Sequence, residues 1–238
     1  MIYEESKQSH MLSHLDWLAL EVKYLDRAQA FYEAFLDLDV RHERDSEVAL
    51  AAGETDLILR SPGPVPRGGL HVHYACSIPA NEYDTWYERL DERFDLVEHT
   101  FGDARSLYFY DPETNCVELG ERDVDGPGID GIFEVVLEVE DLKRAQSFYE
   151  QLGFDVMSEG DNRPRVRLTT GSLDLELWEP QLGLADARGG VHVDFGVVAT
   201  DPEQLVDPVR EAALAVESLD DGVRVRDPDG HYLSLVSA

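Results

Sequence analysis

The sequence has few cysteines and no long apolar run. Cys76 and Cys116 are the only cysteines among 238 residues, which is too few for the disulfide framework of a small secreted domain. No stretch approaches the 18 uninterrupted apolar residues of a membrane span, and the N-terminal MIYEESKQSH lacks a signal-peptide pattern. We therefore expect a cytoplasmic protein without a membrane partner.

Positive charge is also scarce. The chain has 20 lysines and arginines against 50 aspartates and glutamates, with a formal net charge of -30. Only Lys7, Lys23 and Lys143 are lysines, a composition that resembles the proteomes of salt-accumulating organisms. A surface this negative repels phosphate backbones, so no nucleic-acid partner is expected. Most acidic side chains are expected to be exposed to solvent at the surface. A carboxylate therefore indicates a functional site in this chain only if it lies inside a pocket.

An internal repeat organises the chain. Leu20-Glu21-Val22 recurs as Leu137-Glu138-Val139, and the segment RAQAFYE at 27–33 recurs as RAQSFYE at 144–150. The length and a hydrophobic fraction of 43% suit two domains. We predict a polar tail at 1–11, a first domain at 12–122, a linker at 123–130 and a second domain at 131–238.

Each half is itself doubled, since a strand-like run, an amphipathic helix and three more strand-like runs occur twice. The prediction is an α+β protein of four β-α-β-β-β modules. Apolar side chains at helical spacing mark the buried faces of the first three helices: Ala28, Phe31, Tyr32 and Phe35; Tyr83, Trp86, Tyr87 and Leu90; Ala145, Phe148, Tyr149 and Leu152. The fourth helix is predicted to begin at Asp201-Pro202, a cap followed by proline.

Strand alternation selects two histidines. In the opening strand of the second module, Tyr74 and Cys76 face the helix, which leaves His71 and His73 together on the opposite face. Imidazoles two residues apart on one face of a strand can reach a single ion. This face is therefore a candidate metal site.

The motifs resemble those of the vicinal oxygen chelate superfamily, which includes glyoxalases, bleomycin-resistance proteins and extradiol dioxygenases. The resemblance rests on the segments at 139–149 and 108–119 and extends over residues 12–238. It implies two tandem half-barrel domains built from paired modules. It also implies that metal ligands lie on the first and last strands of the modules, facing a cavity.

Carried onto this chain, the family ligand positions fall on Trp17, His73 and Glu118. Since Trp17 stands where a dioxygenase has histidine, His71 is the candidate for the missing imidazole; His14 is less suitable because it lies on the other strand face. Two histidines and one carboxylate are typical of non-heme Fe(II) sites. The expected cofactor is Fe(II) or Mn(II), with Zn(II) as an alternative.

The resemblance also assigns assisting residues. Its hydrogen-bonding tyrosine falls on Tyr108 and its acid-base histidine on His99, while Trp17 and Tyr110 are expected in the substrate pocket. In the second domain the corresponding positions are Glu134, Glu176, Asp194 and Ser234. Glu134, Glu176 and Asp194 are chemically able to hold a hard cation, but we expect a structural or substrate-covering role.

Three functions remain open at this point, and each requires a small-molecule partner. The first is extradiol ring cleavage of a small aromatic diol. The second is a glyoxalase-like isomerase or lyase reaction, which normally uses four protein ligands, although Trp17 and Ile58 occupy two of those positions. The third is metal-free binding of an aromatic ligand between Trp17 and Tyr108. The resemblance allows a homodimer.

Overall fold

The computed structural model describes residues 11–63, 71–160, 164–180 and 193–238, and for His71, Val72 and Val193 only the backbone. These ranges contain the four predicted modules. The first comprises β1 (Leu12–Glu21), α1 (Leu25–Leu36), β2 (Asp39–Arg44), β3 (Glu47–Ala52) and β4 (Thr55–Arg60). The second comprises β5 (His71–Pro79), α2 (Tyr83–Asp91), β6 (Val97–Phe101), β7 (Ala104–Tyr110) and β8 (Cys116–Arg122).

The second half repeats this order. The third module comprises β9 (Gly131–Glu138), α3 (Leu142–Gln151), β10 (Asp155–Glu159), β11 (Arg165–Thr169) and β12 (Asp174–Trp178). The fourth comprises β13 (Val193–Ala199), α4 (Pro202–Val206), β14 (Ala215–Ser218), β15 (Gly222–Arg226) and β16 (Tyr232–Ser237). The predicted fold class is confirmed.

The helices bury the faces that the sequence pattern predicts. Phe31, Tyr32, Phe148 and Tyr149 are buried in one continuous apolar core with the helix-facing residues of the strands. Asp201 caps α4, since its side chain accepts a hydrogen bond from the backbone N–H of Gln204. Among the described residues, no helix combines the length and the apolar character required to cross a bilayer.

The strands form two eight-stranded sheets that each combine both halves of the repeat. The β1 sheet has the order β14-β15-β16-β13-β1-β4-β3-β2, and the β5 sheet has the order β10-β11-β12-β9-β5-β8-β7-β6. The antiparallel pairs β1–β13 and β5–β9 join the modules at the centre of each sheet. Two half-barrels are therefore present, and each consists of one module from the first half and one from the second. This pairing decides which residues share a cavity.

Candidate metal centre

The inner face of the β5 sheet encloses a cavity of about 400 Å³. Acidic, basic and aromatic side chains line it: His73, Phe101, Ala104, Tyr108, Glu118, Arg122, Glu134, Arg165, Arg167, Glu176 and Trp178. Residues on the inner face alternate along each strand with residues that contact the helices. The cavity is thus built from both halves of the chain.

Three buried side chains meet at the floor of this cavity. His73 Nε2 lies 3.2 Å from Glu118 Oε2 and 3.4 Å from Glu134 Oε1. The three ligand atoms lie within 4.8 Å of one another. Three adjacent strands position them, because Ala75 of β5 pairs with Glu118 of β8 on one side and with Glu134 of β9 on the other.

The group fits a bound divalent cation. Glu118 Oε2 is buried and has no aligned hydrogen-bond donor among the described residues, although His73 Nε2 is 3.2 Å away. Buried carboxylate oxygens are normally hydrogen-bonded or bound to a metal. One imidazole and two carboxylates form a donor set suited to Mn(II), Fe(II) or Zn(II).

Tyr108 and Ser106 support the carboxylate of Glu118. Burial raises the pKa of Glu118, but the adjacent His73 imidazole and hydrogen bonds from Ser106 and Tyr108 outweigh it and hold that pKa below its ordinary value. Burial, together with the Glu118 charge, raises the pKa of Tyr108 far above its usual range. Glu118 is therefore a carboxylate and Tyr108 a neutral phenol, as a metal ligand and its hydrogen-bonding support require.

Glu134 and Glu176 differ in their availability to an ion. Glu134 Oε1 points to His73, while its other oxygen contacts Arg167. Glu176 forms ion pairs with Arg165 and with Arg167, whose Nε lies 3.1 Å from Glu176 Oε1. It also accepts a hydrogen bond of 2.7 Å from the indole of Trp178. Its lone pairs are thus occupied, so Glu176 orients the arginines rather than completing the ligand group.

The structure brings together only part of the predicted site. His73, Glu118 and Tyr108 line the cavity. His99 lies behind Tyr108 at a ring-centroid distance of 5.6 Å and is half-buried, but it is not a lining residue. Tyr110 is 40% exposed at the end of β7 and is also outside the lining.

The prediction for His71 depended on strict alternation, which the strand does not keep. A register shift lies between His71 and His73, and the backbone of His71 pairs with Leu137, a core residue of β9. The His71 side chain is outside the described residues. Same-face placement of the two histidines therefore loses its geometric basis.

The predicted position of Trp17 is wrong. Trp17 belongs to β1, in the other sheet, where it packs against Ala19, Ala49 and Ile58. Its place in the ligand group is taken by Glu134 from β9. Sequence reasoning missed this because it grouped the modules of one half into one sheet. The signal was nonetheless present, since Glu134 follows Trp17 by 117 residues, the offset of the repeat.

The inner face of the β1 sheet has no equivalent metal group among the described residues. Asp194, at the position of His73, is fully buried and paired with Arg60 at 3.0 Å. A Cβ at Gly196 would lie 2.3 Å from Trp17 Nε1, so the indole fills this face. Asp194 is thus separated from Glu134 and Glu176, which corrects the prediction of one acidic trio in the second domain.

Comparisons with known proteins place this architecture. No family model and no curated protein matches the chain. A candidate dioxygenase from Bacillus subtilis is 17% identical with a TM-score of 0.73, covering 95% of this chain and 85% of its own. Glyoxalase I from Zea mays is 17% identical with a TM-score of 0.69, covering 94% and 92% respectively. At these identities the likeness shows the fold. The chain therefore has the four-module fold of the vicinal oxygen chelate superfamily, as the resemblance of its motifs predicts.

Proposed function

We propose that this protein is a divalent-metal-dependent enzyme. Its ion would be held by His73, Glu118 and Glu134 and would be chelated by two oxygens of a small substrate. The reaction we propose is of the isomerase or lyase type. The observation that carries this choice is Glu134. A second carboxylate stands where the predicted iron site required a second imidazole, and oxygen-rich donor sets favour ions used as Lewis acids.

A bound divalent ion would polarise a substrate carbonyl or hydroxyl. The surrounding residues fix the geometry for that chemistry. Tyr108 orients Glu118 through a hydrogen bond, and Arg167 holds the outer oxygen of Glu134. The rings of Tyr108 and Trp178 stand edge-on to His73, with centroids at 5.5 and 5.7 Å. Both rings pack against the imidazole and fix its orientation.

Extradiol ring cleavage is the second candidate. Tyr108 next to His73, with His99 behind it, favours this reaction because a phenol and an imidazole near the ion can move the protons of a catechol. Against it stands the single histidine in the described cavity lining. The metal-free alternative has lost its main support, because Trp17 and Tyr108 belong to different sheets.

Metal analysis followed by oxygen-controlled assays tests the proposal. Protein purified in high salt without chelators is expected to bind about one Mn(II) or Fe(II) per chain by calorimetry and elemental analysis. His73→Ala and Glu134→Gln are expected to lose that binding. Asp194→Asn, which removes a buried carboxylate from the other sheet, is the matched control and should retain it. Failure of the wild-type protein to bind any of these ions would refute the proposal.

The isomerase or lyase reaction and extradiol ring cleavage are distinguished by whether they consume oxygen. Loaded protein is supplied anaerobically with a thiol adduct of a 2-oxo aldehyde and, separately, with catechols under air in an oxygen electrode. Adduct consumption without oxygen uptake, abolished by His73→Ala, supports the isomerase or lyase reaction. Oxygen uptake with a catechol, proportional to Fe(II) content, would instead establish the dioxygenase.

A further inference from the structure

Arg122 is one of three arginines that line the cavity on the inner face of the β5 sheet. Glu118, Gly120 and Arg122 alternate along β8 and therefore share its inner face. Arg122 lines the same cavity as His73 and Glu118. It is the last residue of β8, four positions beyond Glu118.

A bulge in β9 supplies the support for this arginine. Ala75 pairs with Glu134 and the next residue, Cys76, pairs with Ile132, so Phe133 is an extra residue without a partner. Such bulges redirect a side chain to the other face of a sheet. A Cβ at Gly120 would lie 3.2 Å from Phe133 Cζ, which shows that the ring occupies the space above this glycine on the inner face.

The Phe133 ring holds the guanidinium in place. The Arg122 guanidinium carbon lies 3.7 Å from the ring centroid, a close cation–π contact. One guanidinium nitrogen, Nη1, donates to the carbonyl of Glu121 at 2.8 Å. The side chain is thus fixed in one orientation before any ligand arrives.

Arg122 lacks the partner that most arginines in this acidic chain have. Most described arginines lie within 4.0 Å of a carboxylate, including Arg165 and Arg167 in the same cavity. No carboxylate lies within that distance of Arg122 among the described residues. Burial lowers its pKa, the direction expected for a desolvated cation without a close anion.

The balance of charged side chains in the cavity indicates which charge a ligand would need. Three arginines and three glutamates line it, and Glu134 and Glu176 engage Arg165 and Arg167. Glu118 belongs to the ligand group. A divalent ion would therefore leave an excess of positive charge, with Arg122 as the uncommitted cation.

We infer that Arg122, supported by Phe133, binds an anionic group at the far end of the substrate; this inference rests on the proposed function. The substrate class is a small molecule with two metal-chelating oxygens at one end and a carboxylate at the other. The Glu118 and Arg122 backbones are four residue steps apart along β8, a distance of about 13 Å, and both side chains reach inward. A spacer of a few carbon atoms therefore suits the distance between the two groups.

Two probes with the same chelating head test this inference. In 2-hydroxyglutarate the distal group is a carboxylate, and in 2-hydroxypentanoate it is a methyl group. Calorimetry on Mn(II)-loaded protein is expected to show at least 10-fold tighter binding of 2-hydroxyglutarate, since a hydrogen bond to a charged group has about this effect. Arg122→Gln should remove that preference and leave 2-hydroxypentanoate binding unchanged within about threefold. Arg210→Gln, which removes an exposed arginine far from the cavity, is the control for net charge.

Repeating the titrations without metal separates the two hypotheses. If Mn(II) does not bind but the Arg122-dependent preference persists, the proposed function fails and the anion site stands. If Mn(II) binds and the wild-type protein shows no preference, or binds neither probe, the anion site is overturned while the metal site stands. Equal weakening of both probes by Arg122→Gln also overturns it, because that result indicates a structural role.

Discussion

Thermal stability with and without metal gives the sharpest test of the ligand group. In the metal-free protein, Glu118 and Glu134 direct oxygens at one imidazole, with the ligand atoms no more than 4.8 Å apart. At an effective dielectric constant of about 20, two carboxylates at that separation repel by roughly 3 kcal/mol. An ion between them converts this repulsion into attraction.

The expected shift follows from linkage. Mn(II) at 100 times its dissociation constant stabilises the folded state by about 2.7 kcal/mol. In a chain of this size each kcal/mol moves the Tm by roughly 2–4 °C. We therefore expect differential scanning fluorimetry to show a rise of about 5–10 °C on adding Mn(II) in high salt, reversed by a chelator.

Glu118→Gln provides the decisive variant. It removes a ligand, so the Mn(II) response should fall below about 2 °C. Its metal-free Tm should remain within a few degrees of wild type, because the lost pairing with His73 and the relieved repulsion from Glu134 are of similar size. A full Mn(II) response in Glu118→Gln, or loss of the response in Asp194→Asn, would refute the reasoning.

Three further predictions concern the remainder of the molecule. Gly196→Ala should destabilise the fold by about 1–3 kcal/mol in urea titrations, because its Cβ would collide with Trp17; an unchanged urea midpoint would contradict this. The Cys116 thiol, whose pKa is raised to about 12 by burial and by neighbouring acidic groups, should resist Ellman's reagent at pH 8 until the protein unfolds; rapid labelling of the native state would contradict this. Tyr149→Phe removes a hydrogen bond of 2.8 Å to the buried Asp227 and should lower the free energy of unfolding by about 1.5–3 kcal/mol; a loss below 0.5 kcal/mol would show that the bond is dispensable.

Local patterns in the sequence predicted local structure well. Phe31 and Tyr32 are buried where helical spacing placed them, because an amphipathic helix has one way to cover a sheet. Leu18 and Leu20 pack in the main core, whereas Trp17 and Ala19 of the same strand belong to a separate apolar cluster, as the alternation of side chains along a strand requires. These features depend on neighbours a few residues apart.

The pairing of modules could not be predicted in the same way. The opening strands β1, β5, β9 and β13 have equivalent apolar faces, so the repeat alone fits either arrangement of modules equally well. Which strands pair depends on contacts between residues more than 50 positions apart, such as Ala75 with Glu134. His73 and Glu118 were found because they belong to one module, whereas Glu134 was assigned to the wrong cavity because it belongs to another.

The exchange of modules between the two sheets has a consequence for how such a chain diverges. Each repeat contributes half of each sheet, so the repeats relate to one another as two subunits do in a dimer with swapped elements. Residues 123–130 join the two repeats covalently, so each chain contains one copy of each repeat. Because the two interfaces are built from different residues, the sequence of one can change without changing the other. One interface carries an imidazole and two carboxylates that could hold an ion, while the other carries an indole and an ion pair. In a symmetric dimer of identical subunits, the two interfaces have the same residues and cannot differ in this way.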